Sequence, residues 1–269
     1  MLTGETDSEF IQNVKKEEEC IFDCSLKEKW KSAEKKGIFR YILNIQDSKV
    51  LEGKYQFLAQ LNVDRGFNRR SPENIISMSQ PFNEKRFNFT KLAPEEILLH
   101  LNSENEEDMI AVNVSPIESC HSLVLPQIHK RLPQVVTKYS LFKAIEMFSL
   151  SPVQILRNYP SKGFCIKYSN VKNIDDLVTW TFLIIDYLQK AEIAHNVYIT
   201  RAKASCEGEY KDLRIYIWPR KSSDGVKDTS AFNPAVCELF GHLSIKCKHL
   251  RKISYVYLFV FSDANLFIN

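Results

Sequence analysis

This chain predicts an α+β fold: a mostly antiparallel sheet with flanking helices. Two observations carry that expectation. Strand-like and helix-like segments interleave, and the strand-like segments come in pairs joined by turns too short for the crossover that parallel neighbours need. Residues 196–200 (NVYIT) and 213–218 (LRIYIW) alternate with a period of two, as half-buried antiparallel strands do.

The elements follow in order. Residues 25–37 (SLKEKWKSAEKKG) read as a helix that opens with Ser25 and Glu28 at capping-box spacing and stops at Gly37. Leu26, Trp30 and Ala33 share one face of it. Residues 38–45 (IFRYILNI) and 55–61 (YQFLAQL) read as strands joined by a turn containing Gly53. Residues 64–94 are irregular and carry Arg65, Arg69 and Arg70, and 102–108 form an acidic surface loop. A buried strand at 109–114, the turn 115–120 (SPIESC) and a second strand at 121–125 come next, stopped by Pro126. A helix over 139–150 places Leu141, Ile145 and Phe148 on one face, 163–168 is a short strand, and Asn173 caps a helix over 173–189. Beyond the 196–200 and 213–218 pair lie a polar loop at 219–230, a short helix at 233–240 (NPAVCELF) and a strand at 242–246.

Composition excludes several function classes. The 269 residues include 36 Lys and Arg against 33 acidic residues, for a net charge of +3, which lacks the basic excess of a nucleic-acid binder. The eight glycines, at 4, 37, 53, 66, 163, 208, 225 and 241, are never closer than thirteen positions. A Walker loop or a GxGxxG turn needs them a few residues apart, so neither is present. Seven cysteines with no CxxC pair read as reduced thiols of a cytoplasmic protein without a metal site. The N-terminus has no basic start followed by an apolar block, and the longest apolar run, 255–261, is far short of the ~20 residues that span a bilayer. No membrane association is expected, and nothing in the sequence signals an oligomeric state.

Catalytic motifs are few. There is no GxSxG, HExxH or HxH, and the six histidines (100, 121, 129, 195, 242, 249) are never closer than seven positions. His195 and His242 stand at strand starts and read as hydrogen-bonded structural residues. His121 differs, because it heads a strand after a tight turn whose preceding strand ends in polar Asn113 and Ser115. Backbone and hydroxyl groups at such a strand end can hold a ribose or phosphate.

This block, NVSPIESCHSLVLPQ, resembles the GDP-hexose phosphorylases of the histidine-triad superfamily, animal GDP-D-glucose and plant GDP-L-galactose phosphorylases. So do KWKSAEKKGIFRYILN, KYQFLAQLNVDR, QPFNEKRFNFTK, AHNVYITRA, RIYIWPRKSSDGVKD and AFNPAVCELFGHLSIK, in that family's order from about residue 22 to 246. AHNVYITRA and IWPRKSSDG look nearer the animal enzymes. The resemblance implies a histidine-triad, galactose-1-phosphate uridylyltransferase-like fold, incomplete here. A single domain would run over 25–248, between a flexible N-terminal segment (1–24) and a divergent tail (249–269).

The resemblance also implies a reaction: GDP-glucose and inorganic phosphate give GDP and glucose 1-phosphate through a guanylyl-histidine, with no cofactor. It assigns nucleotide contacts to Asn113, Val114, Ser115 and His121, and makes Arg65, Arg220 and Lys221 phosphate candidates. Two departures accompany it. The segment that bears the family's nucleophile histidine is missing, with the junction near 151–153, and the sequence after about Lys248 lacks the family's amphipathic helix. The chain as written is therefore expected to be inactive. The alternative reading is a non-catalytic guanine-nucleotide-binding or regulatory relative.

Overall fold

The computed structural model describes residues 21–51, 57–68, 77–78, 80–103, 106–133, 135–150, 164–168, 174–202, 212–219 and 241–246. Helix α1 (Ile21–Lys35) leads into β1 (Asp47–Val50), β2 (Leu58–Leu61) and the short α2 (Val63–Asn68). Then come β3 (Ile97–Ser103), β4 (Glu106–Val112), β5 (Ser122–Leu125) and α3 (Lys138–Leu150). The last elements are β6 (Phe164–Tyr168), α4 (Ile174–Lys190), β7 (His195–Ala202), β8 (Asp212–Pro219) and β9 (His242–Ile245). Among the described residues these strands form three three-stranded sheets, ordered β1-β2-β9, β3-β4-β5 and β6-β8-β7. Every pairing is antiparallel except β2 with β9. The α+β expectation is met.

Two cores result. One packs Leu141 and Ile145 of α3 and Leu177 and Ile185 of α4 against Ile215 and Ile217 of β8. The other sets Trp30 and Ala33 of α1 against Leu98, Ile110 and Val112. Helix α3 serves both, because its Met147 also packs on the second core.

Helix α1 starts four residues before the capping box at Ser25, which lies inside it. The apolar stripe explains the difference: Phe22 precedes Leu26 by one turn, and both pack on the Trp30 core. Gly37 ends the helix as expected, in the left-handed conformation at φ 70°. Its N–H bonds Glu34 O (3.0 Å) while the Ile38 N–H reaches back to Ala33 O (3.2 Å), which closes a Schellman turn.

Three further expectations are corrected. Residues 38–45 are not a strand; the ladder starts only at Asp47, and the Arg40 N–H is taken up by Val114 O (2.9 Å). Residues 64–68, read as irregular, belong to α2. There Gly66 permits a close approach, since a Cβ on it would lie 2.9 Å from Lys246 Cβ. The acidic stretch 102–108 is mostly strand, in the β3–β4 hairpin, and Asp108 is buried. The Gly53 turn, the Asn173 cap, the 233–240 helix, most of the 219–230 loop and the C-terminal tail lie outside the described residues.

Asp108 accepts the Gln127 N–H (2.9 Å) and the Tyr139 hydroxyl (2.6 Å), with Lys143 Nζ 3.6 Å away. It ties β4 to the turn after β5, where Gln127 adopts φ 50°, and to the first turn of α3. Removing a buried, paired carboxylate strands its partners. Asp108→Ala should therefore cost about 3 kcal/mol and Tyr139→Phe about 1 kcal/mol in urea unfolding. Equal, negligible losses would contradict this assignment.

Candidate functional site

The turn between β4 and β5 is built from the residues the sequence singled out. Asn113 prolongs the β4 register by one pair, donating its N–H to His121 O (3.2 Å). Its Oδ1 accepts the Ser115 N–H (3.0 Å), an Asx turn that bends the chain out of the sheet. Cys120 takes φ 63°, which brings the His121 N–H to Glu118 O (3.2 Å) and closes the loop. A left-handed non-glycine residue costs about 1 kcal/mol, so the surrounding bonds must hold it.

Those bonds come from distant segments. Val114 O accepts the Arg40 N–H, Ser115 O accepts from Arg65 Nη1, and Pro116 O accepts the Tyr41 hydroxyl. Arg65 Nη1 also donates to the Tyr41 oxygen (3.3 Å), and Asn62 Oδ1 fixes the start of α2 by accepting the Arg65 N–H (3.0 Å). Burial raises the Tyr41 pKa, opposed by the Arg65 guanidinium, so its hydroxyl keeps the proton it donates.

His121 is held on its other side. Its Nδ1 accepts the Ile117 N–H (3.0 Å), which puts the proton of the neutral ring on Nε2. Burial, then the charges of Arg65 and His242, lower its pKa to about 4, so the ring is neutral at pH 7. Nε2 lies 3.3 Å from Asn113 Nδ2. Because Asn113 Oδ1 is committed to Ser115, two N–H donors stand side by side at the strand end.

A second layer lies behind this pair. His242 Nε2 meets Gln60 Oε1 at 2.6 Å, and Gln60 Nε2 reaches Glu118 Oε1 at 3.4 Å. Glu118 Oε1 is also 3.8 Å from His242 Nδ1. Burial lowers the His242 pKa, Glu118 opposes that and Arg65 reinforces it. This layer joins β2 and β9 to the β4–β5 turn.

The structure thus brings Asn113, Val114, Ser115, His121 and Arg65 together; Arg220 and Lys221 lie outside the described residues. Arg65 is engaged by one carbonyl of the turn, Ser115 O, and by the Tyr41 hydroxyl. Sequence reasoning passed over Tyr41, Asn62, Gln60 and Glu118, and gave His242 a structural role only. Gln60 carried a usable signal, as a polar residue between Ala59 and Leu61 on a short strand. Among the described residues, no three His, Cys, Asp or Glu side chains gather where they could hold a metal. No helix there is long and apolar enough to cross a membrane.

Comparison with known proteins adds the family. Residues 21–159 match the model described as GDPGP1-like, N-terminal domain, and residues 136–251 match GDPGP1-like, C-terminal domain. The chain is 32% identical to Homo sapiens GDP-D-glucose phosphorylase 1 over 284 positions, 84% of this chain and 74% of the human protein. With the Danio rerio protein of the same name it shares 32% over 298 positions, covering 90% of this chain and 86% of the fish protein. Arabidopsis thaliana GDP-L-galactose phosphorylase 2 is 27% identical over 298 positions, covering 81% and 66% respectively. No solved structure matches. In the human alignment 84% of 269 residues is about 226, so about 58 of the 284 positions face no residue of this chain.

The buried neutral His121 has a pH signature. The folded ring binds its proton near pH 4 and the unfolded ring near 6.5. Between those values the unfolded state holds more protons, so stability rises with pH. Moving from pH 7.5 to 4.5 should remove about 2 kcal/mol through His121, with His242 acting in the same direction. In His121→Gln the loss between those two pH values, read from urea unfolding, should shrink by about that amount. An unaltered loss would show that the ring is not buried neutral.

Proposed function

The chain belongs to the GDPGP1-like family, and we propose from that premise that it descends from a GDP-D-glucose phosphorylase and binds the nucleotide of GDP-glucose at the end of β4. One observation supports this reading above the rest: the adjacent donors Asn113 Nδ2 and His121 Nε2, 3.3 Å apart. Two N–H groups converging at a strand end suit an oxygen of a ribose or of the α-phosphate. The neutral ring contributes a donor without a charge, and the bonds from Ser115 and Ile117 fix both donors before a ligand arrives.

In the reaction this reading assigns, an imidazole attacks the α-phosphorus and the bond to the bridging oxygen breaks. Glucose 1-phosphate leaves with that oxygen, and a guanylyl-histidine remains. Inorganic phosphate then attacks the same phosphorus, GDP departs and the imidazole is restored.

His121 and His242 do not suit the attack by their contacts: the His121 lone pair on Nδ1 is engaged by the Ile117 N–H, and His242 Nε2 by Gln60. His195 bonds Ile193 O through Nδ1 (3.0 Å) but belongs to no His-x-His motif. We assign the nucleophile to positions of the relatives that have no counterpart in this chain, so the chain binds without turning over. Arg65 acts by fixing the turn, and Arg220 and Lys221, just after β8, are the cations left to meet phosphate. Seven cysteines without a CxxC pair favour a cytoplasmic setting.

Calorimetric titration with GDP tests the reading. The chain should bind, and Asn113→Leu should weaken binding at least about tenfold, the loss of one hydrogen bond to a charged or strongly polar oxygen. GDP-glucose with phosphate should yield no GDP above a protein-free blank. Unchanged affinity in Asn113→Leu would remove the nucleotide assignment, and GDP formation would refute the assignment of the nucleophile.

A further inference from the structure

We propose, independently of the nucleotide reading, that the outer face of α4 joins two copies of this chain in an antiparallel helix pair.

Periodicity separates the two faces of α4. Leu177, Val178, Thr181, Ile185 and Leu188 are buried on the inner face, and all but Thr181 belong to the first core. Half a turn away, Asp176, Trp180, Leu183, Tyr187 and Lys190 follow one another at spacings of four, three, four and three, the period of a coiled-coil seam. All five are exposed, Trp180 at 65%, Leu183 at 56% and Tyr187 at 68%. Single apolar residues on a surface need no explanation, but three in line along one helix make a contiguous patch of the kind that marks an interface.

The order of these residues identifies a second copy as the occupant. The seam is acidic at its start, basic at its end, and Leu183 stands seven residues from both Asp176 and Lys190. A two-fold axis at Leu183 brings Leu183 against its own counterpart, Trp180 against the partner's Tyr187 and Asp176 against the partner's Lys190, so the face is complementary to itself. A parallel pair would set aspartate against aspartate and lysine against lysine. The antiparallel pair also lays each helix N-terminus beside the partner's C-terminus, where the dipoles attract. Lys190 Nζ donates to Asp186 Oδ2 on its own helix (2.6 Å), yet its side chain is 76% exposed and an ammonium has donors left for a second carboxylate.

Area makes this dimer a reversible one. With aromatic side chains worth about 150–250 Å² each, the exposed parts of Trp180, Leu183 and Tyr187 bring roughly 350 Å² from each copy. That is a little under half of the ~800 Å² a standard interface takes from each partner, and exposed Thr179 and half-buried Asp186 extend it at the rim.

Sedimentation velocity of the whole chain over a dilution series tests the proposal. The mass should fall from two chains toward one on dilution. Leu183→Lys places two like charges on the axis and should leave a monomer at every concentration, with an unchanged far-UV circular dichroism spectrum because the position is exposed. Asp176→Lys and Lys190→Asp should each weaken the dimer about tenfold, and the double variant should recover the original affinity. A monomer at all concentrations, whether solvent or another part of the chain covers the seam, overturns the proposal. So does a dimer indifferent to Leu183→Lys, or a double variant no tighter than the single ones.

Discussion

Three consecutive carbonyls, on Val114, Ser115 and Pro116, are captured by donors from elsewhere in the chain, and the geometry of the site depends on that capture. With those oxygens turned toward Arg40, Arg65 and Tyr41, the N–H groups of Ser115 and Ile117 turn to Asn113 Oδ1 and His121 Nδ1. That leaves Asn113 Nδ2 and His121 Nε2 as the N–H groups of the pair, 3.3 Å apart. The chain of cause runs further back, because Arg65 is aimed by the Asn62 cap on α2, and α2 sits where it does because Gly66 admits Lys246. A charge-assisted bond from a guanidinium, made in a partly buried place, is among the stronger single interactions available for such a task.

Helix α3 is the other dependency. It follows β5, supplies Leu141 and Ile145 to one core and Met147 to the other, and is tied to β4 through Asp108 and Tyr139. Helices α3 and α4, on either side of residues 151–163, share the first core, while the second draws only on residues up to Met147.

Much of the fold was legible because hydrophobic periodicity is local. Helices α3 and α4 and the pair β7 and β8 fall within two residues of where their patterns put them. Asp108 was misread because its run of acidic neighbours looks like a solvated loop, while the partners that bury it, Gln127 and Tyr139, come from later elements. The segment 38–45 has strand-like composition, but its Arg40 N–H and Tyr41 hydroxyl go to the turn at 114–116 instead of to a ladder. In the site, Asn113, Ser115 and His121 were readable from one continuous block. Tyr41 and Glu118 were not, since their meaning lies in contacts between segments far apart in sequence, and His242 was readable only as a hydrogen-bonded residue, without its partner Gln60.

The central claim is that Asn113 and His121 form one ligand-facing donor pair. NMR of ¹⁵N-labelled protein during GDP addition reads both atoms directly. His121 should show a protonated Nε2 and an unprotonated Nδ1 before addition, and at saturation its Nε2 and the Asn113 side-chain amide should shift together. A ring protonated on Nδ1, or a saturating titration that moves neither signal, would contradict the account.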